Sequence, residues 1–312
     1  MPRVPAEKGT CIQPFGMTKI ARRITSLSLC CFGWFSATDH LLGQSNADLP
    51  DAPDYALMAA IPRPRPFPGP GQAQEAPIDT TRSEPQREAT WRSLPGDFLH
   101  DQKALWTFPV KVAKGHYLLP TAIVVGGTAG LIYADPHAAP YFRKHQTAWD
   151  DVNDVFDPMI STGEVIALPA GMMTAGYIRH DRREVSTALL AAEAYGDSVV
   201  INLAIKAVTR RERPADVPPN GSFEDTFFNG GKSPLKGSSF PSGHATAVWS
   251  VATVVAERYR HRGKPWVPVL AYTLATAISF SRITESAHFP SDVWLGASLG
   301  YTIAKYQTLT PR

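Results

Sequence analysis

Two histidines, an aspartate and three cations, each at the junction of a loop and an apolar run, are the residues of this chain whose types and spacing suit chemistry. His288 precedes Pro290, which a helix start tolerates, and Asp292 follows it four residues later. An aspartate in a first helical turn can accept the Nδ1 proton of a histidine just outside that turn. That fixes the tautomer and leaves Nε2 as a directed nucleophile. Arg282, six residues upstream of His288, offers a fork of donors for an oxyanion or phosphate. His244 closes Pro241-Ser242-Gly243-His244, just ahead of the apolar run Ala245 to Ala256. Lys206 ends another apolar run, and Arg213 follows seven residues on, locked against Pro214. Singly, each stretch has an ordinary structural explanation: a loop histidine acting as a cap, a serine N-cap, or a basic helix end that satisfies the dipole. Their joint occurrence in this order is what sets them apart.

The pattern K-x6-R-P, then P-S-G-H, then S-R-x5-H-x3-D resembles the three-part signature of the type 2 phosphatidic acid phosphatase, bacterial acid phosphatase and vanadium haloperoxidase superfamily. Lys206, Arg213 and Pro214 supply the first part, Pro241 to His244 the second, and Ser281, Arg282, His288 and Asp292 the third. The resemblance runs from about Asp97 to Gln307. It implies that His288 attacks phosphorus in line to give a phosphohistidine, oriented by Asp292, while His244 protonates the leaving alkoxide and then activates water. Lys206, Arg213 and Arg282 would clamp the non-bridging oxygens, with Ser242 and the Gly243 amide donating further hydrogen bonds. Gly243 suits that task because no Cβ obstructs the anion and a helix N-terminus favours it. No metal or other cofactor is implied, since three cationic side chains supply the positive charge. A vanadate-dependent haloperoxidase is the alternative, because vanadate mimics the phosphoryl transition state in the same pocket. An exported, non-catalytic interaction protein is the third.

The elements that must position these residues read as helices. Apolar runs cover Tyr117 to Ala134, Ile160 to Ile178, Ser186 to Val208, Ala245 to Tyr259, Val267 to Phe280 and Val293 to Tyr306. Without a convincing alternating segment, they predict an all-α six-helix bundle, and the resemblance implies that it is of the phosphatidic acid phosphatase/haloperoxidase type. Asp150 to Asp157 is acidic, but lacks the glycine and distal glutamate of a calcium loop and reads as a solvated helix start. The loop Ala215 to Ser239 shapes the mouth of the site in this reading, with Phe223, Phe227, Phe228, Lys232 and Lys236 as candidate substrate contacts.

The chain has 312 residues, a formal charge of +3 and 44% hydrophobic residues, enough for one sizeable core and too mildly basic to argue for nucleic acid. Lys19, Arg22 and Arg23 followed by Ile24 to Phe35 read as an exported signal over residues 1–47, with cleavage before Asp48 and an uncleaved anchor as the alternative. Cys11, Cys30 and Cys31 all fall in that signal, which excludes a cysteine nucleophile from the remainder. Residues 48–96, containing Pro62 to Gly71, read as a proline-rich, polyproline-type or disordered linker, and 97–312 as the catalytic domain.

Basic residues at the helix ends away from the signature (Lys111, Lys114, Arg179, Arg182, Arg183, Arg258, Arg260, Arg262, Lys264) suit a positive-inside membrane arrangement. Against it, only the runs from Tyr117 and from Val267 approach spanning length, and Glu164, Glu193 and Asp197 interrupt the others. The expectation is therefore an exported, periplasmic or secreted domain, soluble or peripheral to the membrane, with an integral membrane protein as the alternative. Its partner is a phosphorylated small molecule or lipid.

Overall fold

The computed structural model describes residues 86–156, 158–230, 238–260 and 263–311. The signal region and most of the linker lie outside the described residues. All regular structure among the described residues is helical: α1 (Leu94–Trp106), α2 (Phe108–Ala113), α3 (Leu118–Lys144), a 3-10 turn (Gln146–Trp149), α4 (Asp150–Asn153), α5 (Pro158–Ile178), α6 (Arg182–Thr209), α7 (Gly243–Arg260), α8 (Trp266–Thr284) and α9 (Pro290–Ile303), followed by a π-turn (Ala304–Thr308). The all-α expectation holds, and each of the expected helices is present. Two of them, α3 and α5, contain internal prolines, and α3 continues through Pro136 and Pro140 to Lys144 rather than stopping at Ala134. That extension matters, because Asp135 lies within it, fully buried.

Local chemistry explains the ends nearest the site. Asp181 caps α6 by accepting from the Arg183 and Glu184 amides at 2.9 and 3.1 Å. At the other end Arg210 is left-handed (φ 38°), which stops the helix at Thr209 and turns the chain so that Arg211 is buried. Pro290 opens α9, and Asp292 reaches back to accept from the Phe289 amide at 2.8 Å.

The core forms where α6, α7 and α8 meet, around Leu189, Leu190, Val248, Val251, Val254 and Ile278. On the other face of α7, α9 approaches almost backbone to backbone. A Cβ on Gly296 would lie 2.6 Å from the Ser242 carbonyl oxygen, and one on Gly300 would strike the Thr246 carbonyl. Small residues at this seam allow the close approach. The Ser242 amide donates to the Asp292 carbonyl at 2.9 Å, so the starts of α7 and α9 are tied together.

The chain is ordered before the expected boundary at Asp97. Arg87 and Ala89 are buried, and α1 begins at Leu94. Arg87 pairs with Glu193 at 2.8 Å and Asp97 at 2.9 Å, and donates to the Thr308 carbonyl. Gln102 donates to Asp197 and Gln307 to Asp101, at 2.8 and 2.7 Å. Glu193 and Asp197, which counted against membrane burial, thus face an internal polar network. Arg258, grouped above with basic surface ends, is 2% exposed and donates to the Arg87 carbonyl.

Among the described residues three helices rather than two are long and apolar enough to cross a membrane: α3, α6 and α8, with mean hydropathies of 1.4, 1.4 and 1.2. Only 11% of the α3 window is buried. Leu119, Ile123, Val125 and Tyr133 on α3, Ile166 and Ile178 on α5, and Val269 and Leu274 on α8 are exposed. Apolar side chains on that scale exceed what a water-facing surface ordinarily carries.

Candidate active site

The site is built where the loop 238–242 passes between the end of α6 and the start of α9. Lys206 Nζ donates to the Ser238 carbonyl at 2.6 Å, and His288 Nδ1 bonds the next carbonyl, that of Ser239, at 2.8 Å. A cation and an imidazole are therefore anchored on consecutive peptide groups. Because a carbonyl only accepts, Nδ1 carries the proton and Nε2 keeps its lone pair. The carboxylate expected to do this, Asp292, has Oδ2 at 3.6 Å from Nδ1 and acts on the ring through charge rather than through that hydrogen bond.

His288 is 4% exposed. Burial pushes its imidazole below the ordinary value, Asp292 works against that shift, and the charges of Lys206 and Arg213 add to it. Burial alone would raise the Asp292 carboxyl. His288, Arg211 and the Phe289 amide outweigh it and hold the group below the usual carboxylate range.

Lys206, Gly243 and His244 line one cavity of about 250 Å³ with Asn202, Thr246, Tyr195 and the apolar Val165, Val199, Leu203 and Ala247. A Cβ on Gly243 would meet only Asn202 Oδ1 at 3.8 Å and Lys206 Cε at 4.0 Å, so glycine here keeps the space beside the lysine stem open. Gly243 is also the first residue of α7, where amides point outward unbonded by the helix. Ser242 is fully buried, and its Oγ accepts from the Ala245 amide at 3.4 Å, an N-cap contact. Asn202 donates to Thr246 Oγ1 at 2.9 Å and fixes that wall of the cavity.

Arg213 is exposed on the loop after α6, which is pinned to the His288 loop by the Ala215 amide donating to the Ser286 carbonyl at 2.9 Å. Ser286 itself is left-handed (φ 54°), and this turn brings the His288 amide back to the Arg282 carbonyl at 3.1 Å. Arg282 is buried with its guanidinium against Glu285 Oε1 at 2.8 Å, Ser281 Oγ and the Phe156 carbonyl. Those bonds direct it toward α8 and the segment before α5.

Arg211, which the signature does not include, is the cation the structure sets nearest Asp292. Its Nη1 donates to Asp292 Oδ1 at 2.8 Å and Ser291 Oγ at 2.7 Å, and its Nη2 donates to Asp135 Oδ2 at 2.8 Å. Phe289 and Phe227 cover its two faces at 3.8 and 4.5 Å from the ring centroids. Of the loop residues expected to touch substrate, Phe227 therefore packs on Arg211 and Phe223 packs edge-on to Phe289. Phe228 is exposed at the surface, and Lys232 and Lys236 lie outside the described residues.

Residues 187–311 match the PAP2 superfamily. Among curated proteins, a decaprenylphosphoryl-5-phosphoribose phosphatase of Mycobacterium tuberculosis is 38% identical over 103 residues, which is 33% of this chain and 49% of that protein. A lipid A 1-phosphatase of Porphyromonas gingivalis is 37% identical over 68 residues, 22% of this chain and 15% of that protein. The chain thus spans half or less of the length of these curated relatives. Among solved structures, a transmembrane PAP2 type phosphatidylglycerolphosphate phosphatase from Bacillus subtilis is 20% identical, covering 68% of this chain and 91% of that one, with a TM-score of 0.36.

Proposed function

We propose that this chain is a membrane-bound phosphatase that hydrolyses phosphate monoesters, lipid phosphates or diphosphates through a phosphohistidine on His288. The observation that carries the reading is the anchoring of Lys206 Nζ and His288 Nδ1 on the adjacent carbonyls of Ser238 and Ser239. It leaves Nε2 with a lone pair beside a cation, as in-line attack on a phosphoryl group requires. In this mechanism the Nε2–P bond forms as the P–O bond to the leaving alkoxide breaks. His244, on the same cavity as Lys206, gives that oxygen its proton and later takes one from the hydrolytic water. Lys206 and Arg213 hold the charge on the equatorial oxygens, and the amides at the start of α7 add fixed dipoles. Arg282 joins them on exchanging its Glu285 partner for the anion. The apolar walls of the cavity and the exposed apolar faces of α3, α5 and α8 support a lipid-embedded enzyme.

The test is release of inorganic phosphate from p-nitrophenyl phosphate and from a lipid phosphate by the detergent-purified full chain, with and without chelator. Wild type is expected to turn over in both conditions and His288→Ala to lose activity by at least a thousandfold. A His288→Ala protein with wild-type turnover removes the nucleophile from this reading. We place the site on the exported face, so intact expressing cells should hydrolyse an impermeant phosphomonoester. Hydrolysis appearing only after lysis would reverse that orientation.

A further inference from the structure

Arg211 reaches the surroundings of His288 by two independent routes. Through its backbone, its carbonyl accepts from the Ser239 amide at 2.8 Å, and its own amide donates to Ser238 Oγ at 3.1 Å. These bonds hold Ser238 and Ser239, the two residues whose carbonyls bind Lys206 Nζ and His288 Nδ1. Through its side chain it fixes Asp292, whose second oxygen faces the same nitrogen at 3.6 Å. Its other partner, Asp135, comes from α3, which lies outside the matched residues 187–311. Asp135 also caps α9 from outside, accepting from the Ser291 amide at 3.2 Å and from Ser291 Oγ. Asp135, Arg211 and Asp292 are 0%, 1% and 0% exposed, so water does not screen their charges.

We propose that Arg211 is a positioning residue for His288, and that Asp135 sets the net charge of the buried Asp135–Arg211–Asp292 bridge that the imidazole faces. This inference rests on the phosphatase reading. Two carboxylates share one guanidinium, which leaves the bridge with one net negative charge. The remaining charges facing His288 are Lys206 at the end of α6 and Arg213 on the following loop, both cations, while Arg282 on α8 is paired with Glu285. The attacking imidazole is neutral. Once Nε2 carries the phosphoryl group and Nδ1 keeps its proton, the ring is cationic. A bridge of net charge −1 compensates that cation. A neutral Arg211–Asp292 pair standing alone would not, and Asp135 makes the difference.

A merely structural bridge and a charge-setting one differ in the sign of what mutation does. Asp135→Asn keeps the shape and an oxygen for the Ser291 amide but makes the bridge neutral, so His288 should titrate lower. Arg211→Met leaves two negative charges, so His288 should titrate higher. One unit charge roughly 8 Å away at an effective dielectric of about 20 gives a displacement of about 1.5 pH units in each direction. Arg211→Lys restores the charge and should return the titration toward wild type.

The experiment follows the His288 imidazole by NMR in the full chain labelled at histidine nitrogen, with its signal assigned through His288→Ala. In parallel, the acid limb of kcat/KM is measured on p-nitrophenyl phosphate, and folding is checked by thermal melting. Opposite displacements in Asp135→Asn and Arg211→Met, with kcat reduced about 10- to 100-fold, support the proposal. If Arg211→Met does not fold, Asp135→Asn and Arg211→Lys decide it. A His288 titration in Asp135→Asn identical to wild type, with only a lowered melting temperature, overturns it. Absence of phosphate release by wild type would instead strike the phosphatase reading, and the NMR arm would still stand.

Discussion

Substituting alanine for Gly296 tests whether the helix seam positions the site. The added Cβ would sit 2.6 Å from the Ser242 carbonyl oxygen, 3.1 Å from Thr246 Oγ1 and 3.2 Å from Ala245 Cβ. Ordinary contacts are about 3.5 Å, so α9 and the start of α7 must part by roughly 0.9 Å. None of the three obstacles is the end of a flexible side chain. The Ser242 carbonyl is itself held by the Thr246 amide at 3.1 Å and Thr246 Oγ1 at 2.8 Å. Parting the helices stretches the 2.9 Å bond from the Ser242 amide to the Asp292 carbonyl and moves His244, on α7, away from His288, before α9. Overpacking of this kind costs about 1–3 kcal/mol, and misplacing catalytic groups by about 1 Å costs on the order of a hundredfold in rate. Gly126→Ala is the control, since its Cβ would meet nothing within 4 Å, and alanine in an open helical position is neutral or stabilising. The assay is kcat for phosphate release beside thermal melting. Gly296→Ala is expected to lose both activity and melting temperature while Gly126→Ala keeps both. Wild-type values for Gly296→Ala would show that the close approach of α7 and α9 does not position the site.

Two further outcomes follow from buried charge. Arg87→Leu should destabilise the fold by about 3–5 kcal/mol, because it strands the Glu193 carboxylate in the core; denaturation showing no loss would mean that the network contributes little there. His288 titrates below its ordinary value when folded, so the unfolded chain binds the extra proton first as pH falls. Stability should therefore decline as pH drops below about 6.5 and level off below the folded value, and His288→Gln should flatten that part of the melting-temperature profile.

Much of the site is written in local sequence. Lys206, Arg213, His244, His288 and Asp292 announce themselves by type and by their place at helix ends, and the apolar runs give the helices that carry them. What the residues could not give is who meets whom. The partner of His288 Nδ1 is a backbone carbonyl, and every residue has one, so no side-chain pattern points to Ser239. Arg282 looked like a free anion clamp until α8 set Glu285 beside it. Arg87 and the first turn of α1 fell into a stretch whose proline-rich start suggests a linker throughout, and only the Arg87 ion pair with Glu193 on α6 shows that this part belongs to the core.

The sequence by itself determined the helical class and the chemistry-bearing side chains, because periodicity and capping act over a few residues. Tertiary structure alone decided the charge that His288 faces. Asp135 and Arg211 stand 76 positions apart, and Arg211 and Asp292 another 81. The packing of α3 on α9, with the turn after α6 beside them, sets each carboxylate 2.8 Å from the Arg211 guanidinium, in a place where water no longer weakens their charges.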